Sequence, residues 1–448
     1  MTSPCYPVPA CADGSQDRGD NAWIVNFDNG NSNNDNRDNN NRVRAVRGPA
    51  REFQGASAQR VTLRDLHSAW KQARRQKVPS ANQLDFDTNW GDRLLELEEQ
   101  LNTGTWSPKP TTCFVAERPK AREIHAPDFG DRVVHHWLIP QLEAIYERSF
   151  IADSFANRRE KGSHAAVRRL QGFVREVRSG QGGGYFLQLD IANFFNRIHR
   201  PTLYGMLKAR MARHGLPDAA RRATHALLRR SPLEVGVRYV STPEARALVP
   251  AHKQLANAPR GCGIPIGNLS SQFFANVYLD RLDQFVKHTL KAPRYLRYVD
   301  DFVLVHHDRD QLVAWKAQIV RFLADELRLS LKEDVDPLPL ADGVDFLGYV
   351  VRPTHTTVRR RVVSHARAAL AAWEGSHVAG AVMRGTPDDF RRVRSVWASY
   401  DGHFEHADAY RLRASLRRRF PWIDAATRPR RFRLHQEGSA LTFPTRIH

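Results

Sequence analysis

The sequence predicts an α+β chain in which a short antiparallel sheet carries acidic residues at its strand ends and helices pack behind it. Three observations carry that expectation. YFLQLDIANFF (185–195) is an apolar strand pattern that ends in Asp190. RYLRYVDDFVLVHH (294–307) sets two β-rich runs around Asp300 and Asp301, the pattern of a hairpin with both acids at its turn. Between and after them lie long segments whose apolar residues recur at helical spacing.

In chain order, residues 21–41 hold ten Asn in twenty-one positions, too little apolar surface to fold, so residues 1–55 are expected to be a disordered leader. From Val61 a globular pattern begins, with helices expected in VTLRDLHSAWKQARRQ and RLLELEEQL (93–101). TTCFVAERPKAREI (111–124) reads as two strands with a turn at Pro119, a hairpin carrying Lys120 and Arg122. An amphipathic helix follows over about 131–147. Gly182–Gly184 lack the Lys-Ser/Thr of a phosphate loop and are read as a turn. Pro201 opens a helix after the Asp190 strand, 264–290 is a loop feeding a long helix, and VDFLGYVV (344–351) is a strand pair or a strand corner. Residues 352–448 hold nineteen Arg, no Lys and eight acids, a net of +11 that predicts a basic helical lobe.

Charge narrows the partners. Lys and Arg number 68 against 48 Asp and Glu, a formal +20 over 448 residues, so a polyanion, and first of all nucleic acid, is the expected partner. No apolar run of about 18 residues is present to span a bilayer, and the first residues lack the basic and apolar regions of a secretory signal, so no membrane partner and a cytoplasmic location are expected. Four scattered cysteines form neither a disulfide scaffold nor a paired zinc spacing. His135, His136, His306 and His307 sit in apolar segments, where hydrogen-bonded histidines are commoner than ligands, and receive no site.

An acidic pair alone is more often a solvated surface feature than chemistry. Two adjacent carboxylates at a strand turn repel unless cations bind, and hard oxygen donors of this kind suit Mg²⁺ or Mn²⁺. With Asp190 as a third acid, two metals about 3.5–4 Å apart could support an in-line phosphoryl displacement.

The ordered set FLQLDIANFF, GIPIG (263–267), YVDD and FLGY, over about residues 110–410, resembles the reverse transcriptase family. The resemblance implies a right-hand polymerase fold and RNA-directed DNA synthesis from dNTPs with two Mg²⁺, or Mn²⁺, as cofactors. Fingers and an N-terminal extension would span 56–185, a palm 186–352, a helical thumb 353–425 and a basic tail 426–448. Asp190, Asp300 and Asp301 match the catalytic triad, with the Ile191 carbonyl as a further metal ligand. Lys120, Arg122, Asn193, Phe194, Phe195, Ile266 and Gly267 fall at the nucleotide site. Phe195 matches the aromatic that excludes a ribose 2′-OH, and Phe194 is read as its core neighbour. Arg158, Gln272, Tyr298 and Gly348 fall where template or primer would be met; for Arg158 an internal ion pair is the alternative. RNA template and DNA primer or target are the implied partners.

Ile266, where most of the family carries Gln, and the following NLSSQ resemble the reverse transcriptases of diversity-generating retroelements. That implies lowered fidelity at template adenines, a basic accessory protein, and a leader that is translated template repeat. Group II intron, retron and phage-defence reverse transcriptases without a mutagenic role remain the alternative. No nuclease-type pattern follows residue 420.

Overall fold

The computed structural model describes residues 60–75, 78–117, 120–179, 183–427 and 440–442. The Asn-rich leader, the turn residue Pro119 and most of the 426–448 tail lie outside them. The class is α+β, with helices packed on small, mainly antiparallel sheets.

Helix starts follow side-chain chemistry. Thr62 and Asp65 close a capping box on Leu63–Arg74, and Asp128 caps Phe129–Tyr146 by accepting from the Gly130 N–H. The 111–124 segment forms the strands Thr111–Ala116 and Arg122–Ala126, paired antiparallel. A short strand, Val237–Tyr239, adds to this hairpin in parallel, a pairing the sequence pattern did not predict.

The central sheet has four strands in the order Tyr295–Tyr298, Asp301–His306, Tyr185–Asp190 and Leu338–Pro339, all antiparallel neighbours. Its register runs from Tyr185 opposite His306 to Asp190 opposite Asp301. Helices Ser163–Ser179 and Arg309–Leu327 pack against it. The long helix Leu269–Gln284 follows the GIPIG loop and buries Phe273, Phe274, Val277 and Tyr278.

One continuous apolar core runs from Val61 to Val351, so the expected boundary at 185 does not divide two cores. A second core, Ala366 to Ala426, belongs to the Arg-rich lobe. That lobe is not purely helical. Besides Arg360–His377, Pro387–Phe404, Tyr410–Arg419 and Trp422–Thr427, it holds a three-stranded sheet of Val378–Ala379, Val382–Arg384 and Ala440–Thr442. Its arginines are also not all available to phosphate. Arg413 and Arg417 pair with Asp401, Arg419 with Glu374, Arg391 with Asp388, and Arg394 Nε donates to the Ala426 carbonyl at 2.6 Å.

The two cores meet through imidazoles. The His403 ring stacks on Tyr349 at 4.2 Å, Tyr349 Oη donates to the His403 carbonyl at 2.8 Å, and the His164 and His406 rings lie 3.8 Å apart. Burial pushes His164 down to about 4 and also lowers His403 and His406, with the neighbouring imidazoles and Arg168 adding to the effect. Lowered histidines stay neutral in the fold while the unfolded chain protonates first, so stability falls as pH drops from about 6.5 towards the folded value. Thermal unfolding between pH 7.5 and 5 should show that decline, and His164→Asn with His406→Asn should make it shallower, with His135 and His403 still contributing.

Candidate active site at the Asp190 and Asp301 strand ends

The register sets the site. Directly opposed residues of an antiparallel pair share a face, with Cβ atoms about 4.5–5.5 Å apart. Asp190 and Asp301 are such a pair, and Tyr298 opposes Asp301 on the next strand. Asp300 occupies the turn between the two hairpin strands and is half-buried.

That turn is held from beneath. Val299 takes φ +55°, a conformation that costs a β-branched residue about 1–3 kcal/mol. Its carbonyl accepts from Arg297 Nη1 at 2.8 Å. The same guanidinium bonds both carboxylate oxygens of Asp283, at 2.8 and 2.7 Å, and Ser154 Oγ at 3.1 Å. Arg297 and Asp283 are both 0 % exposed, and Tyr295 Oη donates to Asp283 as well. Burial works against the Arg297 charge, and Asp283 outweighs it, holding the guanidinium protonated.

Each carboxylate of the opposed pair has a partner. Asp190 lies 3.6 Å from Lys332 Nζ, and Gln188 Nε2 donates to both oxygens of Asp301, at 3.1 and 3.2 Å. Among the described residues no three His, Cys, Asp or Glu are gathered as a ready-made metal site. Burial raises the Asp190 carboxyl, opposed by Lys332, by Lys120 and by the Ile191 N–H. Hard-oxygen donors set side by side fit Mg²⁺ or Mn²⁺, which would compete with Lys332 and Gln188 for them.

Three segments close around this row. Ile191 is buried and bridges to Leu331, while the Lys332 N–H donates to the Asp190 carbonyl at 2.8 Å. Asn193 adopts φ +49°, which Asn tolerates, and starts the short helix Phe194–Arg197. The Phe195 carbonyl accepts from Ile264 N–H at 3.0 Å, and the Ile266 carbonyl from His125 N–H at 2.8 Å. The GIPIG loop therefore lies between Phe195 and the 111–126 hairpin. Gly267, at φ +112°, has no room for a side chain: a Cβ would sit 2.7 Å from Ile124 Cγ2.

Five of the predicted contacts sit differently in their surroundings. Phe194 is 2 % exposed and packs edge-on against Phe195 at 5.5 Å, so it belongs to the core and cannot touch a nucleotide; Phe195 is half-buried. Tyr298 is 2 % exposed, too enclosed to meet a template or primer. The Arg158 side chain is 6 % exposed; it pairs with Glu147 at 2.7 Å and donates to the carbonyls of Ile151 and Ser154, so the internal ion pair replaces the expected nucleic-acid contact. Gly348, at φ +88°, sits at the junction of the two cores, its carbonyl accepting from Arg359 N–H at 2.8 Å. Gln272 is half-buried in the first turn of Leu269–Gln284.

The sequence reading missed Lys253 and Lys332. Lys332 touches Asp190 directly, and Lys253 shares the field of Lys120, Arg122, Lys332 and Asp190. Neither lies in one of the recognised motifs.

The family model for "Reverse transcriptase (RNA-dependent DNA polymerase)" matches residues 107–351. Protein YkfC of Escherichia coli (strain K12) is 22% identical over 345 residues, covering 69% of this chain and 83% of its own length. The group II intron-encoded protein LtrA of Lactococcus lactis subsp. cremoris is 21% identical over 317 residues, 60% of this chain, and the chain spans 51% of that relative. Among solved structures, apo telomerase from Candida Tropicalis aligns with a TM-score of 0.43 and 10% identity, covering 65% of this chain and 52% of that one. Telomerase from Candida albicans in complex with a telomeric RNA fragment aligns at 0.36 and 11%, covering 76% and 64%. A sequence match that takes in more than half of the chain, and all three aspartates with it, means that the chain belongs to the reverse transcriptase family.

Proposed function

We propose that this chain copies RNA into DNA from dNTPs, with Asp190, Asp300 and Asp301 holding two divalent ions and with relaxed accuracy opposite template adenine. The observation that carries the reading is the register pair Asp190 and Asp301 beside the Asp300 turn. Ions held there would relieve charge on the phosphates and activate the attacking primer oxygen.

The chain's own residues do the rest. Lys120 and Arg122 on the 111–126 hairpin would grip the triphosphate by charge-assisted bonds. Phe195 would wall off the space of a ribose 2′-OH, selecting deoxynucleotides by exclusion. Gly267 lets the loop backbone pass against Ile124, and Ile266 beside it would lie under a nascent pair. The exposed Arg411 and Arg418 of the C-terminal lobe would track a duplex through its phosphates.

A branched alkane at 266 offers no hydrogen bond to test base geometry. Ile266→Gln should lower misincorporation opposite template adenine by roughly tenfold, which corresponds to a net hydrogen-bond contribution of about 1.4 kcal/mol. Sequencing the cDNA made on a defined RNA checks this. Equal error rates at all four bases would instead favour a copying enzyme without a mutagenic role, the reading that the similarity to LtrA supports.

A further inference from the structure

We propose that Lys253 is a ligand of the incoming triphosphate, supplied by the 251–255 turn and locked between the Asp190 loop and the Arg122 hairpin. This rests on the polymerase reading above and adds a residue to its nucleotide site.

Residues Ala251–Lys253 form a single 3₁₀ turn, closed by the Lys253 N–H donating to the Pro250 carbonyl at 2.8 Å. On one side, the His252 carbonyl accepts from Asn193 Nδ2, and the Gln254 carbonyl accepts from Asn196 Nδ2 at 3.2 Å. Both asparagines belong to the segment immediately after Asp190. On the other side, the Leu255 N–H donates to Glu123 Oε2 at 2.9 Å, next in sequence to Arg122. Burial opposes ionisation of Glu123, yet the His125 imidazole 3.8 Å away and the bond from the Leu255 N–H hold it below the usual carboxylate range, so this anchor persists at neutral pH. A turn tied at both ends has little freedom, and the ammonium it carries is exposed.

The charge around it asks for an anion. Burial and then Lys120, Arg122 and Lys332 push the Lys253 amine down, and Asp190 pulls it up. Lys253, Lys120, Arg122 and Lys332, from three separate segments, thus lie in one field with Asp190, and Glu333 pairs with Lys332 at 3.3 Å. Like charges brought together by rigid backbone are relieved by a polyanion, and a triphosphate presents that charge in one molecule. A nucleic-acid phosphate carries single charges spaced along a strand and would meet fewer of the four at once.

Primer extension with Lys253→Met is expected to raise the dNTP KM by about 10- to 100-fold, with kcat within about threefold and the affinity for primer and template unchanged. Lys253→Arg, which keeps the charge, should recover most of the loss. Inhibition of the wild type by inorganic tripolyphosphate should weaken in the Met variant by the same factor. In the unmodified protein, acetylation of Lys253 by an amine-reactive ester should be slowed when dNTP is added. Unchanged KM, unchanged tripolyphosphate inhibition and no protection would overturn the assignment. A matching loss of primer-template affinity would overturn it in favour of a strand contact. A wild type that fails to extend any primer would count against the polymerase reading instead.

Discussion

Primer extension on RNA is expected to vanish in Asp300→Asn and in Asp190→Asn, while folding and RNA binding persist. Each substitution keeps volume and removes one anionic donor. Charge stabilisation by metals at a phosphoryl centre is worth several kcal/mol, so a loss of about 4 kcal/mol corresponds to roughly a thousandfold in rate. The fold should not suffer. Burial raises the Asp190 carboxyl, which means that its ionised form is unfavourable in the folded state, and a neutral amide there should leave the melting temperature equal or slightly higher. Coupled measurement of extension, thermal unfolding and RNA binding separates this from general damage: activity alone should fall.

The second large effect concerns Arg297 and Asp283. Breaking a buried ion pair by removing one partner costs about 3–5 kcal/mol, because the other charge is left uncompensated. At about 2–4 °C per kcal/mol for a unit of this size, Asp283→Leu or Arg297→Met should lower the melting temperature by roughly 10 °C. Replacing both together with apolar residues removes the stranded charge and should return most of that stability. Activity should not return with it. The double variant still lacks the Nη1 donor to the Val299 carbonyl, so the turn at φ +55° loses its buried support and Asp300 should shift. Arg297→Lys should fall between, since a single ammonium cannot reach Asp283, Ser154 and Val299 together. Recovery of extension along with stability in the double variant would show that the pair serves folding alone.

Those two networks mark what was legible in the sequence. Strand ends are written in local alternation, so YFLQLD and the runs around Asp300 were readable as strands, and their pairing brings Asp190 opposite Asp301. The hairpin at 344–351 and the helix after GIPIG were equally local. Which of two adjacent aromatics faces inward was readable only as a choice, and burial resolves it: Phe194 is inside. Long-range partners were not readable. Arg158 looks like a surface cation in NRREKG, yet Glu147 and two carbonyls consume it. Tyr298 neighbours Asp301 in register but lies under cover, which no count along the chain reveals. The Arg-rich lobe read as one charged surface because composition ignores pairing, and Asp401 and Glu374 neutralise part of it. Lys253 and Lys332 reach Asp190 only through the packing of segments that carry no recognisable pattern.

The account stands or falls on whether Asp190, Asp300 and Asp301 act together on nucleotide transfer. The direct test is oligo(dT)-primed copying of poly(rA) by the full chain with dTTP, run in Mg²⁺, in a chelator, and with the Asp190→Asn protein. A ladder of DNA products that needs Mg²⁺ and is absent from the variant is the predicted result. A ladder of similar yield from Asp190→Asn, or one that persists in the chelator, would contradict it.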